Sequence, residues 1–267
     1  MTSLPSLPSV PPTAAPLPSG RSIPLMGFGT WRLSGAAATN ATVAALELGY
    51  RHVDTATIYG NEREIGAALR ASPLERDSVF ITTKLPPDHA GRERETLEQS
   101  LEMLGIEAVD LWLVHWPPDA AKGLDVWRAF IAALQDGLVR DIGVSNYSLA
   151  QLDEVAEATG TMPAVNQIKW SPYHYDGALL EGHRERGVVV EGYSGLKGGT
   201  LQDPVVLRVA QRAGRSPAQV LVRWQLDHGV VALPKSSDPG RIAENADVDD
   251  LVLSESDVAA IDGLSQL

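Results

Sequence analysis

The chain has 267 residues, 44% of them hydrophobic and 21% charged, which is enough apolar material for one full core. Its 22 Lys and Arg against 34 Asp and Glu leave a net charge of −12. That argues against a nucleic-acid or anionic-membrane surface, since both demand clustered cations, and the lack of Cys excludes disulfides, thiol catalysis and cysteine-ligated zinc.

Residues 1–16 carry Pro5, Pro8, Pro11, Pro12 and Pro16. Pro fixes φ and removes a backbone donor, so a loosely held tail is expected through residue 17. The first positive side chain is Arg21, and no apolar run approaches the roughly 18 residues of a membrane span. A cytoplasmic protein without a secretion signal is therefore expected. Pro18-Ser19-Gly20-Arg21 predicts a tight turn between two short extended pieces, a hairpin suited to closing the bottom of a barrel.

From here a unit repeats: a helical pattern ends in Gly and a short apolar strand follows. The glycines are Gly49, Gly105, Gly137, Gly160, Gly187 and Gly229. Gly closes a helix because it tolerates the left-handed conformation, and strands apolar on both faces suit a parallel sheet covered by helices. With strands near Leu25–Gly29 and Val79–Lys84 the count is about eight, the number that closes a (β/α)8 TIM barrel. One domain over residues 18–267 is expected. Ser216-Pro217-Ala218-Gln219, Asp238-Pro239 and Ser254 mark helix starts. The helix before Gly214 leads into another helix, so an extra helix is predicted between Tyr193 and Val230. A doubly wound dinucleotide fold is disfavoured, because Gly27-Phe28-Gly29 is followed by Trp31 and Arg32 where its third Gly should stand.

Four chemically capable side chains fall at the C-terminal ends of predicted strands or in the loops after them. Asp54 ends the strand after Gly49, Tyr59 follows on the next loop, Lys84 ends Val79–Lys84, and His115 ends a strand begun at Val109. On a barrel these ends converge on one rim, where catalytic residues sit. A phenol ionises near pH 10, too high for an efficient proton donor at neutral pH, and a nearby ammonium is expected to lower that value. Asp54 could hold the ammonium, and His115 could donate to a developing oxyanion. The set offers no nucleophile of its own, which points to hydride from a nicotinamide cofactor.

Together GFGTW (27–31), the string from Asp54 to Glu64, TKL (83–85), HWP (115–117), GVSNY (143–147), NQI (166–168), Tyr193-Ser194 and LPKS with RIAEN (233–245) resemble the aldo-keto reductases. The likeness runs from about residue 18 to the C-terminus. It implies a (β/α)8 barrel with an N-terminal hairpin that uses NADP(H), in preference to NAD(H), to reduce aldehydes and ketones reversibly. It implies Tyr59 as general acid, Asp54 and Lys84 as its activating pair, and His115 as the orienting group. Ser145, Asn146 and Gln167 would hold the nicotinamide carboxamide, and Tyr193 would stack on the ring. Gly29, Thr30 and Trp31 would meet the nicotinamide ribose, and Ser194 and Leu196 the pyrophosphate. Lys235, Ser236 and Arg241 match the 2′-phosphate site, and Glu244 and Asn245 the adenine site. The family's usual YSPL reads Tyr193-Ser194-Gly195-Leu196 here.

Trp31 and Trp116 are expected to line an apolar slot for a small carbonyl substrate, whereas Trp112, Trp127, Trp170 and Trp224 fit packing positions. His89, His174, His183 and His228 lack ligand spacing, so no metal is assigned. A monomer is expected. A cofactor-binding regulatory subunit without turnover is the alternative. A lyase or glycosidase barrel would need paired inward carboxylates, and the sequence suggests none.

Overall fold

The computed structural model describes residues 13–266. The predicted hairpin forms from β1 (Ala14–Pro16) and β2 (Ser22–Pro24), antiparallel about the Pro18–Arg21 turn. Its first strand falls inside the segment expected as tail, so the ordered fold begins before residue 18, while residues 1–12 lie outside the described residues. The physical reason is twofold: an edge strand tolerates Pro16, which has no donor to offer, and Leu17 is apolar. Leu17 and Ile23 join Leu111, Leu113, Val165 and Val231 in one buried cluster, so the hairpin plugs the barrel's lower end. Ser19 at the turn is tied to the buried carboxylate of Asp141 by its backbone N–H and its hydroxyl.

Eight parallel strands follow in sequence order: β3 (Phe28–Gly29), β4 (His52–Asp54), β5 (Phe80–Leu85), β6 (Val109–Val114), β7 (Val139–Ser145), β8 (Val165–Lys169), β9 (Val189–Tyr193) and β10 (Val231–Ala232). The sheet closes on itself. Met26 bridges Ala232, the Gly27 N–H donates to the Ala232 carbonyl at 2.9 Å, and the Ala232 N–H donates to the Leu25 carbonyl at 2.8 Å. All six repeat glycines lie at φ between +66° and +97°, which turns the chain from helix into strand as expected.

Helices α1 (Gly35–Glu47), α2 (Glu62–Ala71), α3 (Glu93–Leu104), α4 (Ala120–Gln135), α5 (Leu149–Thr159) and α6 (Gly177–Glu185) each follow one strand from β3 to β8. After β9 come two helices, α7 (Pro204–Ala213) and α8 (Pro217–Asp227), and α7 is the predicted extra one. After β10 come α9 (Pro239–Ala246) and α10 (Glu255–Asp262). Capping boxes open three helices: Ser148 with Gln151 at α5, Ser216 with Gln219 at α8, and Ser254 with Asp257 at α10. The helices cover the sheet with large apolar groups. Trp112 of β6 stacks on Phe130 of α4 at 3.7 Å between centroids, and Trp170, Trp224 and Tyr175 form a second aromatic knot. All four tryptophans predicted to pack are fully buried. Among the described residues no helix is long and apolar enough to cross a membrane.

Candidate active site

Local hydrogen bonding fixes the loops that carry the four candidate side chains. Asp54 is the last residue of β4, and the Thr30 N–H and hydroxyl both donate to its carbonyl, at 3.0 and 2.9 Å. Asn61, wholly buried ahead of α2, donates to the carbonyls of Thr30 and Leu33 and accepts from Thr55 Oγ1. That one amide ties together the loops after β3 and β4. Tyr59 ends a single 3-10 turn, Thr57–Tyr59, closed by Gly60 at φ +64°, and Thr57 Oγ1 donates to the Lys84 carbonyl at 2.8 Å.

The four groups meet. Lys84 Nζ donates to Asp54 Oδ1 at 2.6 Å and to the Thr55 carbonyl at 2.7 Å, and lies 3.5 Å from the Tyr59 hydroxyl. The Tyr59 ring packs between Trp31 and His115, with centroids 4.8 and 5.8 Å away. Lys84 is fully buried, so its ammonium reaches the site from below and is not part of the cavity wall.

Burial alone would lower the Lys84 pKa, but Asp54, Tyr59 and Glu191 outweigh it and the group is raised, so it stays charged. The expected lowering of Tyr59 is not what results. Burial pushes the phenol above its ordinary value, Lys84 pulls it down by less, and Asp54 opposes that pull. An ammonium already paired at 2.6 Å with a carboxylate has little field left for the phenol. His115 is pushed down to about 3 by burial and by Lys84, so its imidazole is neutral at physiological pH.

Asp54, Tyr59 and His115 line one end of a cavity of about 550 Å³. Trp31, Ile58 and Trp116 flank its mouth, each 40–50% exposed. Ser145, Asn146, Gln167 and Tyr193 line the wall beside Tyr59 and bond to one another. Tyr193 Oη donates to Asn146 Oδ1 at 2.8 Å, Asn146 Nδ2 donates to Ser145 Oγ at 3.0 Å, and Ser145 Oγ donates to the Gln167 carbonyl at 2.7 Å. Asn146 and Ser194 both adopt positive φ, about +62°, on this wall. Gly29, Ser194 and Leu196 line the middle, and Lys235, Ser236, Arg241, Glu244 and Asn245 the far end. Thr30 is the exception among the expected contacts: it is wholly buried behind the wall, its hydroxyl spent on the Asp54 carbonyl.

The far end suits an anion. Asp238 caps α9 by accepting from the Arg241 N–H at 2.9 Å, and Lys235 and Arg241 stand beside that helix start. Lys197, which the sequence reading did not single out, also lines the cavity. Burial and then the neighbouring cations Lys197, Arg241 and Arg32 lower the Lys235 pKa, as expected for like charges gathered together. In a chain of net charge −12 this clustering is local and specific. Gly195, where the family pattern has Pro, is accounted for by α8: a Cβ there would fall 2.6–2.9 Å from the Gln225 carboxamide, which fills the space.

A second residue that the sequence reading missed lies beneath the cavity. Glu191, in the middle of β9, is fully buried and points into the barrel beneath the site. Gln167 Nε2 donates to both Glu191 Oε2, at 2.7 Å, and Asp54 Oδ1, at 2.9 Å. A second inward carboxylate therefore does stand near Asp54, contrary to the expectation of none. The only signal for it was a single acid in an otherwise apolar strand.

Comparison with known proteins identifies the family. Residues 25–266 match the Aldo/keto reductase family. The chain is 40% identical to 2,5-diketo-D-gluconic acid reductase B of Corynebacterium sp., over 97% of this chain and 95% of that protein. An aldo/keto reductase from Brucella melitensis superposes with a TM-score of 0.90 at 38% identity, covering 96% of this chain and all of that one. A Bombyx mori aldo-keto reductase solved in complex with NADP superposes with a TM-score of 0.87 at 31% identity, covering 96% and 94% of the two chains. With its eight-stranded barrel and these rim residues, the chain belongs to the aldo/keto reductase family, whose members are oxidoreductases acting on small carbonyl compounds.

Proposed function

We propose that the chain is an NADP(H)-dependent reductase of aldehydes and ketones, reversible towards alcohol oxidation, with Tyr59 as general acid. The observation that carries this reading is the Lys84 ammonium, 3.5 Å from the Tyr59 hydroxyl and bonded to Asp54, at one end of a cavity whose other end gathers Lys197, Lys235 and Arg241. A bound reduced nicotinamide supplies the hydride. The protein does the rest. Asn146, Gln167 and Tyr193 orient the nicotinamide end, and Trp31 and Trp116 hold the substrate against Tyr59 and shed water. Tyr59 Oη passes its proton to the carbonyl oxygen as that oxygen becomes an alkoxide. Lys84 keeps its own protons and stabilises the phenolate left behind. His115, neutral, offers an N–H to the same oxygen. The half-exposed tryptophans at the mouth favour aromatic and apolar aldehydes over a single small substrate.

The test is optical: NADPH consumption with an aromatic aldehyde, compared with NADH. Aldehyde-dependent oxidation of NADPH is expected; none with any of a panel of aldehydes and ketones would leave a cofactor-binding subunit without turnover. Charge-assisted hydrogen bonds contribute about 1.5–3 kcal/mol each. Arg241→Ala should therefore raise KM for NADPH by roughly 10- to 100-fold with little change for NADH. An equal rise for both cofactors would show that Arg241 does not touch the 2′-phosphate.

A further inference from the structure

Glu191 is a buried acid directly beneath the site that the proposed proton transfer does not use. Its carboxyl is wholly shielded from water, and it receives a single hydrogen bond among the described residues, from Gln167 Nε2 to Oε2. Its other oxygen, Oε1, has no donor among the described residues and lies 3.5 Å from His52 Nε2. An ionised carboxylate in such a place would leave several lone pairs unsatisfied and a charge unpaired, which is costly. A neutral carboxylic acid avoids the unpaired charge.

The shared amide matters as much as the burial. Gln167 divides its two N–H groups between Glu191 and Asp54, and Asp54 is the carboxylate that holds Lys84 beside Tyr59. With Glu191 neutral, Asp54 and Lys84 cancel and the phenol faces no net charge. With Glu191 ionised the same interior carries one net negative charge, which makes phenolate harder to form and Tyr59 a weaker acid. We propose that Glu191 is a positioning residue for the reduction, a neutral carboxylic acid that shares Gln167 with Asp54 and keeps the charge beneath Tyr59 balanced. This rests on the assignment of Tyr59 as general acid.

The groups facing Glu191 set when that state ends. From β4 these are Asp54 and His52, from β5 Lys84, and above them Tyr59. Its register neighbours, Gln167 on β8 and Val231 on β10, carry no ionisable group. Asp110 and Asp141 belong to the opposite rim, where they receive Arg76 and Ser19. Glu62, also raised by burial, accepts from Thr83, whose side chain stands on the face of β5 opposite Lys84. His52 is pushed down to about 4 by burial and stays neutral. Burial, then Asp54, push Glu191 up to about 8, against the pull of Gln167 and Lys84. The neutral acid is therefore present below that pH and lost above it, so reduction should slow as pH rises through about 8.

The experiment is the pH profile of kcat for aldehyde reduction at saturating NADPH, for wild type, Glu191→Gln and Tyr59→Phe. Wild type should lose roughly tenfold in kcat between pH 6.5 and pH 9.5, and Glu191→Gln, neutral throughout, less than about threefold. A flat wild-type profile, or the same loss in Glu191→Gln, overturns the role of Glu191. Should Glu191→Gln not fold, Glu191→Asp carries the test: its carboxyl sits one methylene further from Gln167, so the fall should move along the pH axis, and a fall at the wild-type pH overturns the proposal. Full turnover in Tyr59→Phe instead sinks the general-acid assignment, separately from the outcome at position 191.

Discussion

Tyr59→Phe is expected to lower kcat for aldehyde reduction by about 10²- to 10⁴-fold, the range removed with a positioned proton donor. The substitution deletes one oxygen and keeps the ring, which remains packed between Trp31 and His115. Fold and cofactor affinity should therefore persist, with Kd for NADPH within about twofold of wild type and Tm unchanged. The pairing of a large fall in kcat with an unmoved Kd is what identifies a group acting in the chemical step. Fluorescence titration with NADPH and steady-state kinetics on the same preparation decide it; turnover within threefold of wild type would remove Tyr59 from the reaction.

Lys84→Met should damage both stability and turnover. It leaves Asp54 buried, with Gln167 Nε2 as its remaining side-chain donor. Removing one partner of a buried ion pair typically costs about 3–5 kcal/mol, because the other charge is stranded. In a chain of this size that corresponds to a Tm lower by ~10 °C. Turnover should fall at least as far as in Tyr59→Phe, since the phenolate left by proton transfer loses the ammonium beside it. The double variant Asp54→Leu/Lys84→Met separates the two effects: replacing both charges should restore most of the lost Tm and none of the activity. A double variant as unstable as the single one would mean that lost packing and not the stranded charge is responsible.

Much of this fold was legible because each unit obeys local rules. Gly at a helix end, a short apolar strand, and a Ser or Asp before the next helix are short-range signals, and at Gly49, Ser216 and Asp238 they fixed boundaries to within a residue or two. The rim residues were legible for a related reason: Asp54, Lys84 and His115 stand at the ends of strands, so a barrel necessarily gathers them. What escaped were properties that depend on distant partners. Ala14–Pro16 is a strand only because Ser22–Pro24 pairs with it. The sign of the Tyr59 shift depends on how much of the Lys84 charge Asp54 consumes, which spacing along the chain does not reveal. Glu191 passed as one polar interruption in an apolar strand, because period-two alternation does not distinguish a side chain facing a helix from one facing the barrel axis.

The ring of strands is unevenly joined. Most neighbouring strands zip along several residues, whereas β3 and β10, each two residues long, meet through Met26 and the few amide bonds around Ala232. This thin suture unites segments some two hundred positions apart, so it is expected to form late and to part early. Gly29 on one lip and Leu233, Pro234 and Lys235 on the other also border the cavity, so anything lying there stitches the lips together. The amides of Gly27, Gly29 and Ala232 should exchange with deuterium sooner than those at the heart of β6, and saturating NADPH should slow them most; uniform protection around the staves would show the suture to be as tight as its neighbours.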